Sequence, residues 1–273
     1  MKKVSLVSRL FTALIFLFLY VPIFVLIAFS FNNSKSRTVW AGFTLKWYPQ
    51  LIHNDTIMSS VYTTLLVSVI AALVATVFGT MAALGFFSMK KRWRAPLLAV
   101  NNIPVMNADI VTGVSLCLLF VFASSLFHFN LGFGTLLIAH ITFDIPYVIL
   151  SVMPKLYQLD HNLVDAAQDL GCTWTQAFFK VVVPQIMPGI VNGMLIAFTM
   201  SIDDFIISYF TAGSHGVKTL SMTIYAMTRK RVTPEINAVS SLLFITVLFL
   251  LIVLNVREIR QEEKLKRAAR LQK

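Results

Sequence analysis

Long apolar runs separated by short polar segments set the rhythm of this chain. Residues 10–31, 61–88, 103–127, 133–153, 186–210 and 236–256 are uncharged or nearly so. Each is near or above the ~20 residues that a helix needs to cross a bilayer, so the pattern predicts six transmembrane helices. The polar segment 155–184, between the fourth and fifth runs, follows a different period. Leu163, Ala166, Ala167 and Leu170 fall on one helical stripe, with Asn162 placed to cap the helix and Asp165 three residues on, close to a capping box. Gly171 stands where a helix ends in a left-handed residue. Thr173 can cap a second short helix running toward Pro184, with Trp174, Phe178 and Phe179 on its apolar side. The expected product is helix, glycine turn, helix. The adjacent Ala166 and Ala167 leave the first helix slim enough to enter a groove of a second protein, although an amphipathic helix lying on the membrane surface has the same spacing.

Composition agrees with the runs. Hydrophobic residues make up 57% of the chain and charged residues 13%, against about 25% charged in an ordinary soluble domain. This is the composition of an integral membrane protein, and 273 residues leave room for one membrane domain over 1–273 with no soluble catalytic domain beside it. Lys2, Lys3 and Arg9 precede the first run as they would in a secretory signal. The run exceeds the ~7–15 residues of such a signal and no small-x-small site follows, so the expectation is an uncleaved anchor.

Charge then gives a sense of direction. With the N-terminus inside, sixteen of the 23 Lys and Arg residues fall on cytoplasmic segments, including Lys90, Lys91, Arg92, Arg94, Lys155, Lys180 and seven from Arg257 to Lys273. The positive-inside rule therefore predicts that both termini and the 155–184 loop are cytoplasmic. Arg229-Lys230-Arg231 opposes the trend, as a receptor contact or a solvated rim. The net charge of +11 sits on membrane-flanking segments without interleaved base-stacking aromatics, which fits anionic lipid headgroups and not nucleic acid.

Chemistry is sparse. Cys117 lies in an apolar run and Cys172 in the polar loop, without metal-ligand neighbours. There is no Gly-x-x-x-x-Gly-Lys-Ser/Thr phosphate loop, no His-Glu-x-x-His and no Gly-x-Ser-x-Gly. We therefore expect no catalytic residue, cofactor or metal, and any ATP hydrolysis must come from a partner. The informative side chains are acids. Asp109, Asp144, Asp203 and Asp204 lie inside predicted spans, where an ionised carboxylate costs roughly 2.5–3.5 kcal/mol at the helix centre. His140, one turn before Asp144, is its expected partner. Asp203 and Asp204 have no such neighbour and would project about 100° apart on a continuous helix. Unpaired acids in a pathway suit a cationic substrate; basic residues of a partner subunit, or protonation, would satisfy them equally.

Asp165-Ala166-Ala167, three residues, Gly171, nine residues, Val181, one residue, Val183-Pro184 resembles the permease signature of ATP-binding cassette importers. Asp165 replaces the usual Glu, and Val181 and Val183 replace Ile and Leu. Trp40-Ala41-Gly42-Phe43-Thr44 with Trp47-Tyr48, Asp109-Ile110-Val111, Ser201-Ile202-Asp203-Asp204, Ile224-Tyr225 and Pro234-Glu235-Ile236-Asn237-Ala238 are similar to segments of the PotC-type permeases of spermidine/putrescine importers. The resemblance implies an all-α, type I importer (MetI-like) permease fold in a bacterial inner membrane. It also implies a homologous PotB-like second permease, an ATPase dimer, and an extracytoplasmic binding protein that delivers the polyamine. On this reading Asp165, Ala166, Ala167, Gly171 and Pro184 couple to the ATPase, and Asp109, Asp203, Asp204 and Tyr225 line the pathway, Tyr225 offering a cation–π face. Permeases for ferric iron or aminophosphonates share parts of these motifs, and an ion-coupled secondary transporter would also use intramembrane Asp.

Overall fold

A computed structural model describes residues 6–34, 39–160, 162–213, 216–230 and 234–271. Lys2, Lys3, Lys35, Arg37, Arg231 and Lys273, which entered the charge argument, lie outside the described residues, as does His161 of the polar loop. The described residues are helical apart from connecting loops and one isolated β-bridge. In chain order the helices are α1 (Leu6–Ser30), α2 (Trp47–Ile52), α3 (Asp55–Ser88), α4 (Lys91–Met106), α5 (Asp109–Phe127), α6 (Phe133–Tyr157), α7 (Asn162–Asp169), α8 (Trp174–Ala177), α9 (Val183–Asp203), α10 (Ile206–Thr211), α11 (Leu220–Lys230) and α12 (Pro234–Leu271). Among the described residues, five stretches are long and apolar enough to cross a membrane: Ser8–Ser30, Asp55–Ser88, Asp109–Phe127, Phe133–Tyr157 and Trp174–Asp203. A shorter apolar segment, Pro234–Phe249, stands in the place of the sixth.

Two boundaries differ from the hydropathy reading. The third run does not begin at 103, because α4 ends at Met106 and Asn107 and Ala108 are both extended. Asp109 consequently opens α5 and does not lie within a continuous helix. The fifth run does not continue to 210, because α9 ends at Asp203 and Asp204 is extended before α10. Apolar composition carries across both breaks, so a hydropathy average cannot see them.

The chain gathers into two compact units, residues 59–222 and residues 1–58 with 223–273. In the first, α6 is the buried element, with Leu136, Ala139, Val148 and Val152 fully enclosed. Glycines let neighbouring helices approach it. A Cβ on Gly193 would lie 3.1 Å from the Cα of Val148, and one on Gly189 would lie 2.9 Å from the carbonyl oxygen of Ser151, so α9 meets α6 backbone to backbone. Gly79 of α3 leaves room for the Val148 side chain, whose Cβ would lie 2.7 Å from a Cβ placed there. Beside them α10 packs on α5 and α6, where Phe120, Ala139, Phe143 and Ile207 form a common cluster. The outward faces of α3 and α5 remain apolar, among them Val69, Leu73, Val77, Leu118, Leu119 and Phe122, as expected of helices that have lipid or another membrane subunit for solvent.

In the second unit α1 and α2 pack against α12. The Trp40–Tyr48 segment folds back on the end of α1. The Trp47 indole N–H donates to the Asn32 carbonyl at 2.7 Å, the Asn32 amide donates to Val39 O at 2.7 Å, and Phe31 stacks on Phe43 with centroids 5.3 Å apart. Gly42, at φ +98, supplies the left-handed turn within this strap.

Candidate functional site

The polar loop forms the expected helix–turn–helix. Its first helix is capped two residues earlier than the sequence suggested: the Asp160 carboxylate accepts the amide N–H of Asn162 at 3.0 Å, so Asn162 lies inside α7 and is not its cap. At the other end Gly171 is left-handed, with φ +86. Its N–H donates to Gln168 O at 2.8 Å and that of Cys172 to Ala167 O at 3.0 Å, the paired closing bonds of a Schellman motif. Thr173 caps α8 as expected, its hydroxyl accepting from Gln176 N while the Gln176 side chain accepts from Thr173 N, a reciprocal capping box. A single wide π turn, Phe178–Val182, then leads into α9, where Pro184 occupies the first turn. The second helix of the loop is thus continuous with the fifth span.

Much of the apolar surface of this loop has no cover. Leu163, Leu170, Trp174 and Phe179 are exposed, Leu170 at 86%. Trp174 stacks on Phe178 with centroids 5.7 Å apart, and Phe178 meets Phe179 edge-on. Asp165 lies in the first turn of α7, where a negative charge suits the helix N-terminus. Exposed apolar side chains beside fixed turns are what a docking element presents.

The four acids of the predicted spans separate into distinct environments. Asp204 is the most constrained. Its carboxylate accepts the N–H groups of Ile207 and Ser208 at 3.0 and 2.7 Å, capping α10, and its carbonyl accepts the Ser221 hydroxyl at 2.6 Å. One oxygen also lies 3.5 Å from His140 Nε2, both side chains being buried. The expected pairing of His140 with Asp144 does not form, and Asp204 has the internal partner that the sequence reading denied it. Helical side chains lean toward the N-terminus. His140 accordingly turns its Nδ1 back to Leu136 O, at 2.8 Å, and away from Asp144. A single proton between Nε2 and Oδ2, on either atom, makes the His140–Asp204 contact attractive. The signal for the cap was legible, since an Asp followed by an apolar helical run is an N-cap pattern.

Asp203 ends α9 and is exposed, as is Asp109 in the first turn of α5. Asp109 and Asp144 both bear electrostatically on Tyr147 of α6, and Asp204 on Asp144, so the acids of α5, α6 and the α9–α10 joint share one neighbourhood. Asp144 itself is fully buried, and neither carboxyl oxygen has a hydrogen-bond partner among the described residues. Tyr225 belongs to the other unit. It is 39% exposed, and the Arg229 guanidinium lies over its ring, 4.9 Å from the centroid, on a face expected to receive substrate. No group of three or more His, Cys, Asp or Glu side chains able to hold a metal ion occurs among the described residues.

Comparison with known proteins gives this arrangement a context. The chain is 38% identical over 231 residues to the putrescine transport system permease protein PotI of Escherichia coli K12, covering 84% of this chain and 82% of that one. It is 32% identical over 243 residues to the spermidine/putrescine transport system permease protein PotC of Haemophilus influenzae, covering 89% and 93%. Among solved structures, a bacterial alginate ABC transporter in complex with a pentasaccharide-bound periplasmic protein superposes with a TM-score of 0.71 at 16% identity, covering 93% of this chain and 94% of that one. The methionine transporter MetNI superposes with a TM-score of 0.57 at 17% identity, covering 80% and 97%. These likenesses establish the ABC-importer permease fold. Residues 75–259, which include the whole loop and the four acids Asp109, Asp144, Asp203 and Asp204, match the family model for the inner-membrane component of binding-protein-dependent transport systems, and the chain belongs to that family.

Proposed function

We propose that this chain is a translocation subunit of an ATP-driven importer that takes a polyamine from an extracytoplasmic binding protein and passes it to the cytoplasm by alternating access. One observation carries the choice of cargo: the exposed carboxyls of Asp109 and Asp203 at the ends of apolar helices, with no Lys or Arg in the predicted spans to neutralise them, in a chain whose relatives are named for putrescine and spermidine. A linear polycation has several ammonium groups to distribute over such acids. Asp109 and Asp203, exposed in the single chain, are the residues that we assign to direct contact; Asp204 shapes the joint that presents them.

The 155–184 loop is the coupling element. Its exposed Leu163, Leu170 and Trp174 seat in a groove of a partner ATPase on the cytoplasmic side, and Gly171 sets the angle between α7 and α8. A homologous permease completes the pathway across the exposed faces of the spans. Motion of the ATPase subunits passes through α8 and the π turn directly into α9, and so to Asp203 and Asp204 at its far end.

The reading is tested with the assembled importer in vesicles. Binding-protein-stimulated ATP hydrolysis and uptake are measured with spermidine, putrescine and ferric iron in turn. Stimulation by a polyamine alone is expected; stimulation by ferric iron alone would overturn the cargo assignment while leaving the importer assignment intact.

A further inference from the structure

Asp144 is the group that neither coupling nor cargo contact uses. It lies on the buried face of α6, enclosed, with both oxygens lacking hydrogen-bond partners among the described residues. An ionised carboxylate in such a place loses its hydration and gains nothing in return. The nearest cationic candidate, His140, is engaged at both nitrogens, by Leu136 O and by Asp204. Among the described residues, Asp204 at the α9–α10 joint bears on Asp144, and Tyr147 on α6 feels both Asp144 and Asp109 of α5; α4, which also packs on α6, carries Lys91, Arg92 and Arg94 in its first turn. The 59–88 part of α3, and α9 before Asp203, carry no charged residue at all. Asp144 therefore faces acids, a phenol and an occupied imidazole. The cation that fits there without space or a further ligand is a proton.

We propose that Asp144 is a proton-binding site of this permease, and that its proton keeps the neighbouring His140–Asp204 contact intact. Loss of that proton places a negative charge beside the His140–Asp204 pair and sets a second carboxyl group in competition for one imidazole. The contact that fixes the α9–α10 joint to α6 then weakens, so the site makes the joint sensitive to proton occupancy. This inference is independent of the cargo.

Infrared difference spectroscopy of the assembled importer in membranes tests it. The carbonyl band of a protonated carboxyl is expected at neutral pH in the native protein, absent in Asp144→Asn and displaced in Asp144→Glu. Stimulated ATP hydrolysis in the native complex should fall along with that band as the pH is raised, and this dependence should be absent in Asp144→Asn. Identical carboxyl bands in native and Asp144→Asn complexes that both assemble would overturn the proposal. If Asp144→Asn does not assemble, the native and Asp144→Glu spectra decide alone: a band in the same position in both, or in neither, is the overturning result.

Discussion

Nε2 of His140 on α6 lies 3.5 Å from Oδ2 of Asp204 at the start of α10, and the same carboxylate caps α10 through Ile207 and Ser208. One side chain thus ends a break in the fifth span, starts the next helix and holds both against the buried helix of the unit. Replacing Asp204 by Ala removes the cap and the His140 contact together. A loss of about 1–3 kcal/mol is expected, read as a lower melting temperature of the detergent-solubilised permease. His140→Ala and the double variant complete a cycle in which the two losses are not additive, by about 0.5–3 kcal/mol. Additive losses would mean that the two side chains do not interact.

Asp203 should behave differently although it is the next residue. It is exposed at the end of α9, and Asp203→Asn is expected to leave melting within about 0.5 kcal/mol of the native protein while lowering polyamine uptake several-fold. Asp109→Asn should act in the same direction. Unchanged uptake in both variants would remove these acids from the pathway.

Gly171 offers a test of coupling that separates backbone from bulk. No atom lies within 4 Å of a Cβ built there, so space is not the constraint; φ of +86 is. Val at this position costs at least about 1–2 kcal/mol of left-handed strain, which the short loop relieves by abandoning its turn. The importer assembled with Gly171→Val should therefore hydrolyse ATP without importing. Gly171→Asn, with a side chain tolerated in that region, should retain most transport. Equal loss in both variants would point to the side chain and not the turn.

How much of this could be read from the sequence depended on how local each feature is. Gly171, Thr173 and the stripe of α7 depend on neighbours within one or two turns, and their spacing named them. The breaks at Asn107–Ala108 and at Asp204 interrupt apolar runs without Pro or Gly at the break itself, so hydropathy passed over them. The His140–Asp204 contact joins helices distant in the chain, and the direction in which a helical side chain leans decided it against the nearer Asp144.

Helix packing around α6 gives a further expectation. Gly193→Leu would force a side chain into the backbone of α6 at Val148, where even a Cβ stands 3.1 Å from Cα. Overpacking of this kind costs typically about 1–3 kcal/mol. The variant should melt earlier and assemble poorly, whereas Leu in place of Gly85, which has nothing within 4 Å of its Cβ position, should do neither. Comparable yields of both membrane-inserted variants would count against the close α6–α9 approach.

The π turn at Phe178–Val182 has an engineering consequence. The Val183 amide reaches back to Phe178 O, five residues earlier, so this turn holds one residue more than an α-helical turn would. Removing a single residue there would restore ordinary winding and rotate everything upstream by about 100° relative to α9, aiming Trp174 and the exposed face of α7 elsewhere. Grafts that exchange the loop between permeases should therefore place their junctions before Trp174 or after Val183. A junction inside the turn would preserve every contact residue and misdirect all of them.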